Sequence, residues 1–202
     1  MANLQWTGIS DNVDTGAVVE AKLNTSFSAA ETAITSLENS TGAIDTRLAD
    51  MLNVELDAKS LVTQEPTATD TPLQMNFGAG VVNTNVALAS DGTITFRTTG
   101  KYSINLEAMY GRSGSAGTSL MHYRATLNSA QVGSTLSAKI DSDDTLVPFT
   151  ATYFIDANEN DVMKFEFYRD SAGHNSGGLF STATAISGWE NSPSAAIVVR
   201  KA

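Results

Sequence analysis

The sequence offers few side chains that could act as a general base or activate a nucleophile. It contains two histidines, His122 and His174, and no cysteine. A catalytic serine needs such a base beside it, and no Gly-x-Ser-x-Gly elbow accompanies either histidine. Glu166 and Asp170 could form the carboxylate pair of a glycan hydrolase, but a strand-and-turn spacing without a defined cleft is weak support. We therefore predict that the protein is not an enzyme.

Metal and phosphate sites are poorly represented as well. Residues 141–144 (Asp-Ser-Asp-Asp) could give oxygen ligands to calcium, which takes about six to eight of them. The glycine and the distant bidentate glutamate of a complete calcium loop are missing, so a solvated acidic turn is the favoured interpretation. The segment 111–117 has glycines and serines but lacks the lysine of a phosphate-binding loop. We expect neither a metal nor another cofactor.

The composition limits the class of protein and of partner. With 202 residues and a hydrophobic fraction of 42%, the chain can form one large domain, or a stem and one domain of ordinary size. Its net charge of −10 argues against binding nucleic acid through phosphates and against an anionic membrane surface. No apolar run is long enough to cross a bilayer, and residues 1–14 lack the pattern of a signal peptide. We expect no membrane insertion.

The first predicted structural element is a helix, indicated by a heptad pattern at residues 23–51. Apolar or small residues recur there with gaps that alternate between four and three. As a helix, this segment would be roughly 43 Å long at ~1.5 Å per residue, and its apolar stripe would need a partner. We predict a helical trimerisation stem at residues 15–60. The seam, defined by its large apolar members, is Leu23, Phe27, Ile34, Leu37, Ile44, Leu48 and Met51.

Two questions about the stem remain open in the sequence. Residues 39–42 (Asn-Ser-Thr-Gly) are poor helix formers, so the same spacing could describe two short helices against a globular core. The oligomer number is also ambiguous, because Ile34 and Leu37 follow the dimer rule whereas Ile44 and Leu48 favour higher order. Thr41 could hold the register.

The stem is flanked by two segments of different composition. We interpret residues 1–14 as an anchoring arm in which Leu4, Trp6 and Ile9 are the apolar side chains. Large aromatic residues favour interfaces, so Trp6 either docks onto another protein or folds back onto its own stem. Residues 61–72, which include the stretch from Pro66 to Pro72, are predicted to be a linker.

Beyond residue 72 the apolar period changes to two, which is typical of half-buried strands. The clearest case is 101–110, where every second residue is apolar. Further strands are predicted at 82–88, 93–96, 120–127, 146–155, 161–168 and 195–199. Many short strands with turns of Gly, Asn and Asp predict an antiparallel sandwich or jelly roll at residues 73–202. The fold class is therefore mainly β, with an N-terminal helical coiled-coil stem.

Three segments of this head carry a resemblance to a known family. Residues 96–104 (Phe-Arg-Thr-Thr-Gly-Lys-Tyr-Ser-Ile) are similar to the phenylalanine, glycine, tyrosine and aliphatic signature of the jelly-roll head shared by tumour necrosis factor and the globular complement-type family. Residues 123–128 resemble that family's strand running into an asparagine turn, and residues 149–167 resemble its next pair of strands. The resemblance implies a jelly-roll head that packs as a trimer about a threefold axis.

An arm, a heptad stem and a β head on a cysteine-free chain rich in Ser, Thr and Asn resemble the layout of bacteriophage virion proteins. This resemblance implies a homotrimeric head fibre or capsid decoration spike on the virion surface. Its arm would then bind the major capsid protein or another virion protein. The alternative is a tail fibre or receptor-binding adhesin that recognises a glycan or protein on the host surface.

A recognition surface is predicted at the loops 112–119 and 170–178, because arginine and aromatic residues dominate binding hot spots. Tyr168 and Trp189 could add anchors, although the sandwich core or the threefold interface is the favoured position for both. The candidate contact residues in and next to these loops are Arg112, Ser115, Thr118, Arg169, His174 and Asn175.

Overall fold

The computed structural model describes residues 16–52, 54–114, 117–143, 145–172 and 176–201. The chain divides into a helical unit and a β unit, with the boundary between Ala49 and Asp50. The predicted arm at residues 1–14, with Leu4, Trp6 and Ile9, lies outside the described residues.

The helical unit is one continuous helix, α1 (Gly16–Leu52), of 37 residues. It passes through residues 39–42 without a break, so the alternative of two short helices is wrong. Seven serine and threonine hydroxyls along it donate to the backbone carbonyl four residues earlier, as Thr41 does to Leu37 at 2.9 Å. Such residues have modest helix propensity, and a helix of this composition gains most of its stability from packing of its apolar stripe.

The β unit contains twelve strands within the described residues. They are β1 (Val54–Ser60), β2 (Leu73–Gln74), β3 (Gly80–Val82), β4 (Val86–Leu88), β5 (Ile94–Phe96), β6 (Gly100–Arg112), β7 (Ser119–Leu127), β8 (Ala130–Ile140), β9 (Val147–Ala157), β10 (Val162–Arg169), β11 (Gly177–Leu179) and β12 (Ala195–Lys201). The described chain is thus mainly β, with one N-terminal helix.

The strands form two antiparallel sheets of six strands each. The first sheet has the order β3-β1-β12-β6-β9, and β11 continues along the same edge of β6 as β12. The second sheet has the order β4-β5-β10-β7-β8, with β2 beside β10. Four of the pairs are nested in the sequence: β7 with β8, β6 with β9, β5 with β10, and β1 with β12.

Inward side chains of both sheets form one core. The alternation predicted for 101–110 is confirmed, because Tyr102, Ile104, Leu106, Ala108 and Tyr110 are all buried. Aromatic rings fill the centre of this core. Phe165 is fully buried there, with ring centroids 5.8 Å from Phe77, 6.0 Å from Tyr153 and 6.3 Å from Tyr123.

The predicted boundaries of stem and linker require correction. The helix ends at Leu52, and residues 54–60, which were predicted to belong to the stem, form β1 between β12 and β3. Leu56, Ala58 and Ser60 alternate along β1 and are buried, so this segment belongs to the core of the β unit. The predicted linker at 61–72 also contacts the β unit, since Gln64 and Leu179 exchange two backbone hydrogen bonds of 2.8 Å.

The strand predictions were also incomplete beyond residue 72. The predicted strand at 82–88 is divided between β3 and β4, which lie in different sheets. The short strands β2 and β11 and the long strand β8 were not predicted. β8 has few large apolar residues and contains Gly133 at a φ of 70°, so its sequence lacks a clear period of two.

Candidate functional site

The predicted seam is an exposed apolar stripe on α1. In the single chain, its members Leu23, Phe27, Ile34, Leu37 and Ile44 expose between 40% and 67% of their surface. Leu48 and Met51 lie within the helical backbone, but their side chains are outside the described residues. Exposed apolar side chains at a spacing of three and four residues lie along one face of a helix, and such a face is typical of a surface that packs against a partner.

Thr41 lies on the same stripe, where the sequence suggested that it could hold the register. Its hydroxyl donates to the carbonyl of Leu37 at 2.9 Å. The hydroxyl proton is therefore used within its own helix, and only the oxygen can accept a hydrogen bond from a neighbouring chain.

The loops predicted as a recognition surface meet at one end of the β unit. The backbone N–H of Ser113 donates to the carbonyl of Ser176 at 2.9 Å, so the ends of the two loops are hydrogen-bonded to each other. Arg112, however, is only 3% exposed, and its guanidinium donates to the carbonyl of Gly117. Its predicted role as an exposed contact residue is corrected, because the side chain closes its own loop.

The other predicted recognition residues differ in position. Thr118 and Arg169 are half-buried, whereas Ser115, His174 and Asn175 lie outside the described residues. Tyr168 is half-buried on the outer face of the second sheet. Trp189 lies in the exposed segment 182–190 and is itself 69% exposed. The prediction that it belongs to the core of its own sandwich is therefore wrong.

His122 is the centre of a polar cluster on the outer face of the second sheet. Its Nδ1 lies 2.7 Å from Ser137 Oγ, and its Nε2 lies 3.2 Å from Asp170 Oδ2. Its ring stacks on that of Tyr168, with centroids 4.9 Å apart and planes inclined by 23°. The sheet register creates this cluster, because His122 pairs with Ser137 on β8 and with Tyr168 on β10. The local sequence gives no sign of this cluster, because its four residues belong to three separate segments of the chain.

The hydrogen bonds of this cluster run from a serine to a histidine to an aspartate, as they do in a hydrolytic triad. A serine nucleophile also needs N–H donors that converge on the oxyanion of its substrate. Ser137 lies within β8, where backbone N–H groups lie in the plane of the sheet while side chains stand perpendicular to it. The cluster is therefore better suited to holding Tyr168 and Asp170 in place than to nucleophilic catalysis.

The carboxylates of Asp170 and Asp70 hold the start of the loop at 170–178. Asp170 Oδ1 accepts a hydrogen bond of 2.6 Å from the N–H of Ala172. Asp70 Oδ1 accepts one of 2.9 Å from the N–H of Ser171, and its own N–H donates to the carbonyl of Arg169 at 2.8 Å. Hydrogen bonds from the Ser171 hydroxyl and N–H lower the pKa of Asp70 from its ordinary value of 3.8.

We expect this attachment of the loop to weaken in acid. Because the pKa of Asp70 is lowered in the folded state, its contribution to stability is present above the ordinary value of 3.8 and is lost as the pH falls through the folded-state pKa. The amide resonance of Ser171 should therefore titrate in NMR spectra with a midpoint below 3.8. Asp70→Asn should abolish that titration, whereas Asp91→Asn should leave it unchanged. A midpoint at or above 3.8 would contradict the assignment.

Neither a metal cluster nor a membrane span is found in the part of the chain that the structure describes. No group of three or more His, Asp or Glu side chains there could hold a metal ion. Asp141, from the predicted acidic turn, pairs with Lys139 at 2.8 Å, while Asp144 lies outside the described residues. No described helix has the length and hydropathy that a bilayer span requires.

Comparison with known proteins does not assign this chain to a family. The sequence matches no protein-family model, and no curated protein is significantly similar to it.

Proposed function

We propose that this chain is a structural, non-enzymatic protein of a bacteriophage virion. It forms a homotrimeric head fibre or capsid decoration spike, with its arm bound to the major capsid protein or another virion protein and its β unit facing outward. The observation that carries the proposal is the exposed seam on α1, a 37-residue helix that precedes a β unit in the chain.

The seam supports self-association through a coiled coil. Burying a Leu, Ile or Phe side chain is worth about 1.5–3 kcal/mol, and five such side chains of the seam are exposed in the single chain. Parallel helices from a second and a third copy would cover these side chains. In such a parallel, in-register arrangement, each seam residue packs against the same residue of the other two copies. Ile44 and Leu48 favour more than two strands.

The pairing of the strands supports a jelly-roll head. In a jelly roll, a long antiparallel hairpin is folded over so that nested strand pairs alternate between two sheets. The pairs β7–β8 and β5–β10 lie in the second sheet, whereas β6–β9 and β1–β12 lie in the first. This alternation agrees with the head implied by the resemblance of residues 96–104, and heads of that family pack as trimers.

Two measurements test the proposal. Light scattering of the full chain at micromolar concentration should give three times the mass of the 21.3 kDa chain. Cryo-electron microscopy of the particle that carries the chain should then show threefold density on the capsid, with residues 1–14 at its base. A monomeric mass would refute self-association, and density absent from the capsid would refute the decoration role.

The second candidate is a tail fibre or receptor-binding adhesin. This candidate is favoured by a polar cleft on the outer face of the second sheet, because an adhesin needs a pre-formed binding site for a surface molecule of its host. Threefold density on the tail in the same cryo-electron microscopy experiment would select this candidate.

A further inference from the structure

A cleft of about 240 Å³ lies on the outer face of the second sheet, next to the His122 cluster. A bulge in β8 forms one side of it. Tyr123 pairs with Leu136 but Ala125 pairs with Val132, so two additional residues of β8 are accommodated opposite Arg124. The polar lining consists of Arg124, Gln131, Thr135, Glu166 and Tyr168, and Pro72 and Tyr123 complete the wall of the cleft.

An ion pair lies within this cleft. Arg124 Nε donates to Glu166 Oε2 at 2.7 Å, and both side chains are partly exposed. Among the described residues, this is the only hydrogen bond that either side chain makes. The pair therefore presents the terminal guanidinium nitrogens as donors and Glu166 Oε1 as an acceptor, side by side and with no net charge.

Gln131 and Tyr168 complete the polar lining. The amide nitrogen of Gln131 donates to the carbonyl of Gly133 at 3.1 Å and to Thr135 Oγ1 at 3.2 Å, which leaves its Oε1 as a second acceptor. Tyr168 lines the cleft with its ring fixed in place by stacking on His122. Ser137 and Asp170 hold that histidine from both ring nitrogens, so Tyr168 is oriented before any ligand binds.

We infer that this cleft is a binding site for a neutral saccharide unit. Each sugar hydroxyl both donates and accepts a hydrogen bond, which matches the neighbouring donors of Arg124 and acceptors of Glu166 and Gln131. An anionic ligand would meet the Glu166 carboxylate, and a cationic ligand would meet Arg124. The volume is below the ~300–1,000 Å³ of pockets for drug-sized molecules, as suits a single sugar ring with its apolar side against Tyr168.

The site belongs to the β unit alone, so its test is independent of the oligomeric state. The full-length chain is mixed with glucose, galactose, mannose, N-acetylglucosamine or N-acetylgalactosamine and studied by saturation-transfer NMR. N-Acetylneuraminic acid and glucuronic acid serve as anionic comparators. We expect saturation transfer to at least one neutral sugar and none to the two acids.

Variants of the ion pair place the binding in the cleft. Arg124→Leu and the nearly isosteric Glu166→Gln should each raise the Kd of the responding sugar roughly tenfold or more, since a charged hydrogen-bond partner is lost. Arg97→Leu, at an exposed arginine that is not part of the cleft lining, is the matched control and should bind normally. The inference is overturned if none of the neutral sugars responds, if only the acids respond, or if binding survives both cleft substitutions.

Discussion

Replacing Ile34 and Leu37 together with asparagine is expected to convert the proposed trimer into monomers. Both residues belong to the seam, at adjacent layers of the heptad pattern, and are more than half exposed in the single chain. Over the six side chains of a trimer, the lost apolar burial amounts to roughly 9–18 kcal/mol at about 1.5–3 kcal/mol each. Asparagine amides at these positions would also be buried without hydrogen-bond partners. Light scattering at micromolar concentration measures the result.

The matched control places the same side chain on the same helix but outside the seam. Thr32 and Thr35 are both exposed, and their hydroxyls donate to carbonyls of their own helix, at Ser28 and Glu31 respectively. Thr32→Asn with Thr35→Asn should therefore retain the trimer. Circular dichroism should show that the β unit stays folded in both double variants. A trimeric mass for the seam variant would place the interface elsewhere on the chain.

Phe165→Ala is expected to lower the free energy of unfolding of the β unit by about 3–5 kcal/mol. The ring of Phe165 is fully buried between Phe77, Tyr123 and Tyr153, and alanine would leave a cavity among them. Tyr123 and Tyr153 are joined there by a hydroxyl hydrogen bond of 2.8 Å, so neither ring can move freely into the space. Urea denaturation at a fixed chain concentration measures the change.

The same substitution at Phe154 is the control. Phe154 lies on β9 but points outward and is 79% exposed, so Phe154→Ala should change the free energy of unfolding by no more than about 0.5 kcal/mol. Equal losses for the two variants would mean that Phe165 is not at the centre of the core. A large loss for Phe154→Ala alone would instead reveal that a neighbouring chain covers this ring.

The elements with a repeating local pattern could be predicted from the amino-acid sequence. The heptad spacing predicted the helix, and the period of two predicted β6 with its five buried residues from Tyr102 to Tyr110. Each such signal repeats over ten or more residues, so neighbours along the chain suffice to identify the face that will be buried.

Segments and side chains whose environment depends on residues far away in the chain could not be predicted in this way. The segment 54–60 is short and amphipathic. It forms a strand because it pairs with β12, which lies more than a hundred residues further along the chain. Arg112 looked exposed in a glycine-rich segment, but the fold buries it.

The candidate sites divide in the same way. The seam could be recognised in the sequence, because its residues share one helix. His122, Ser137 and Asp170 meet only through the register of β7 with β8 and β10, and Arg124 reaches Glu166 by the same register. The strand register depends on hydrogen bonds between distant segments and on the bulge in β8. Neither feature produces a repeating pattern in the local sequence.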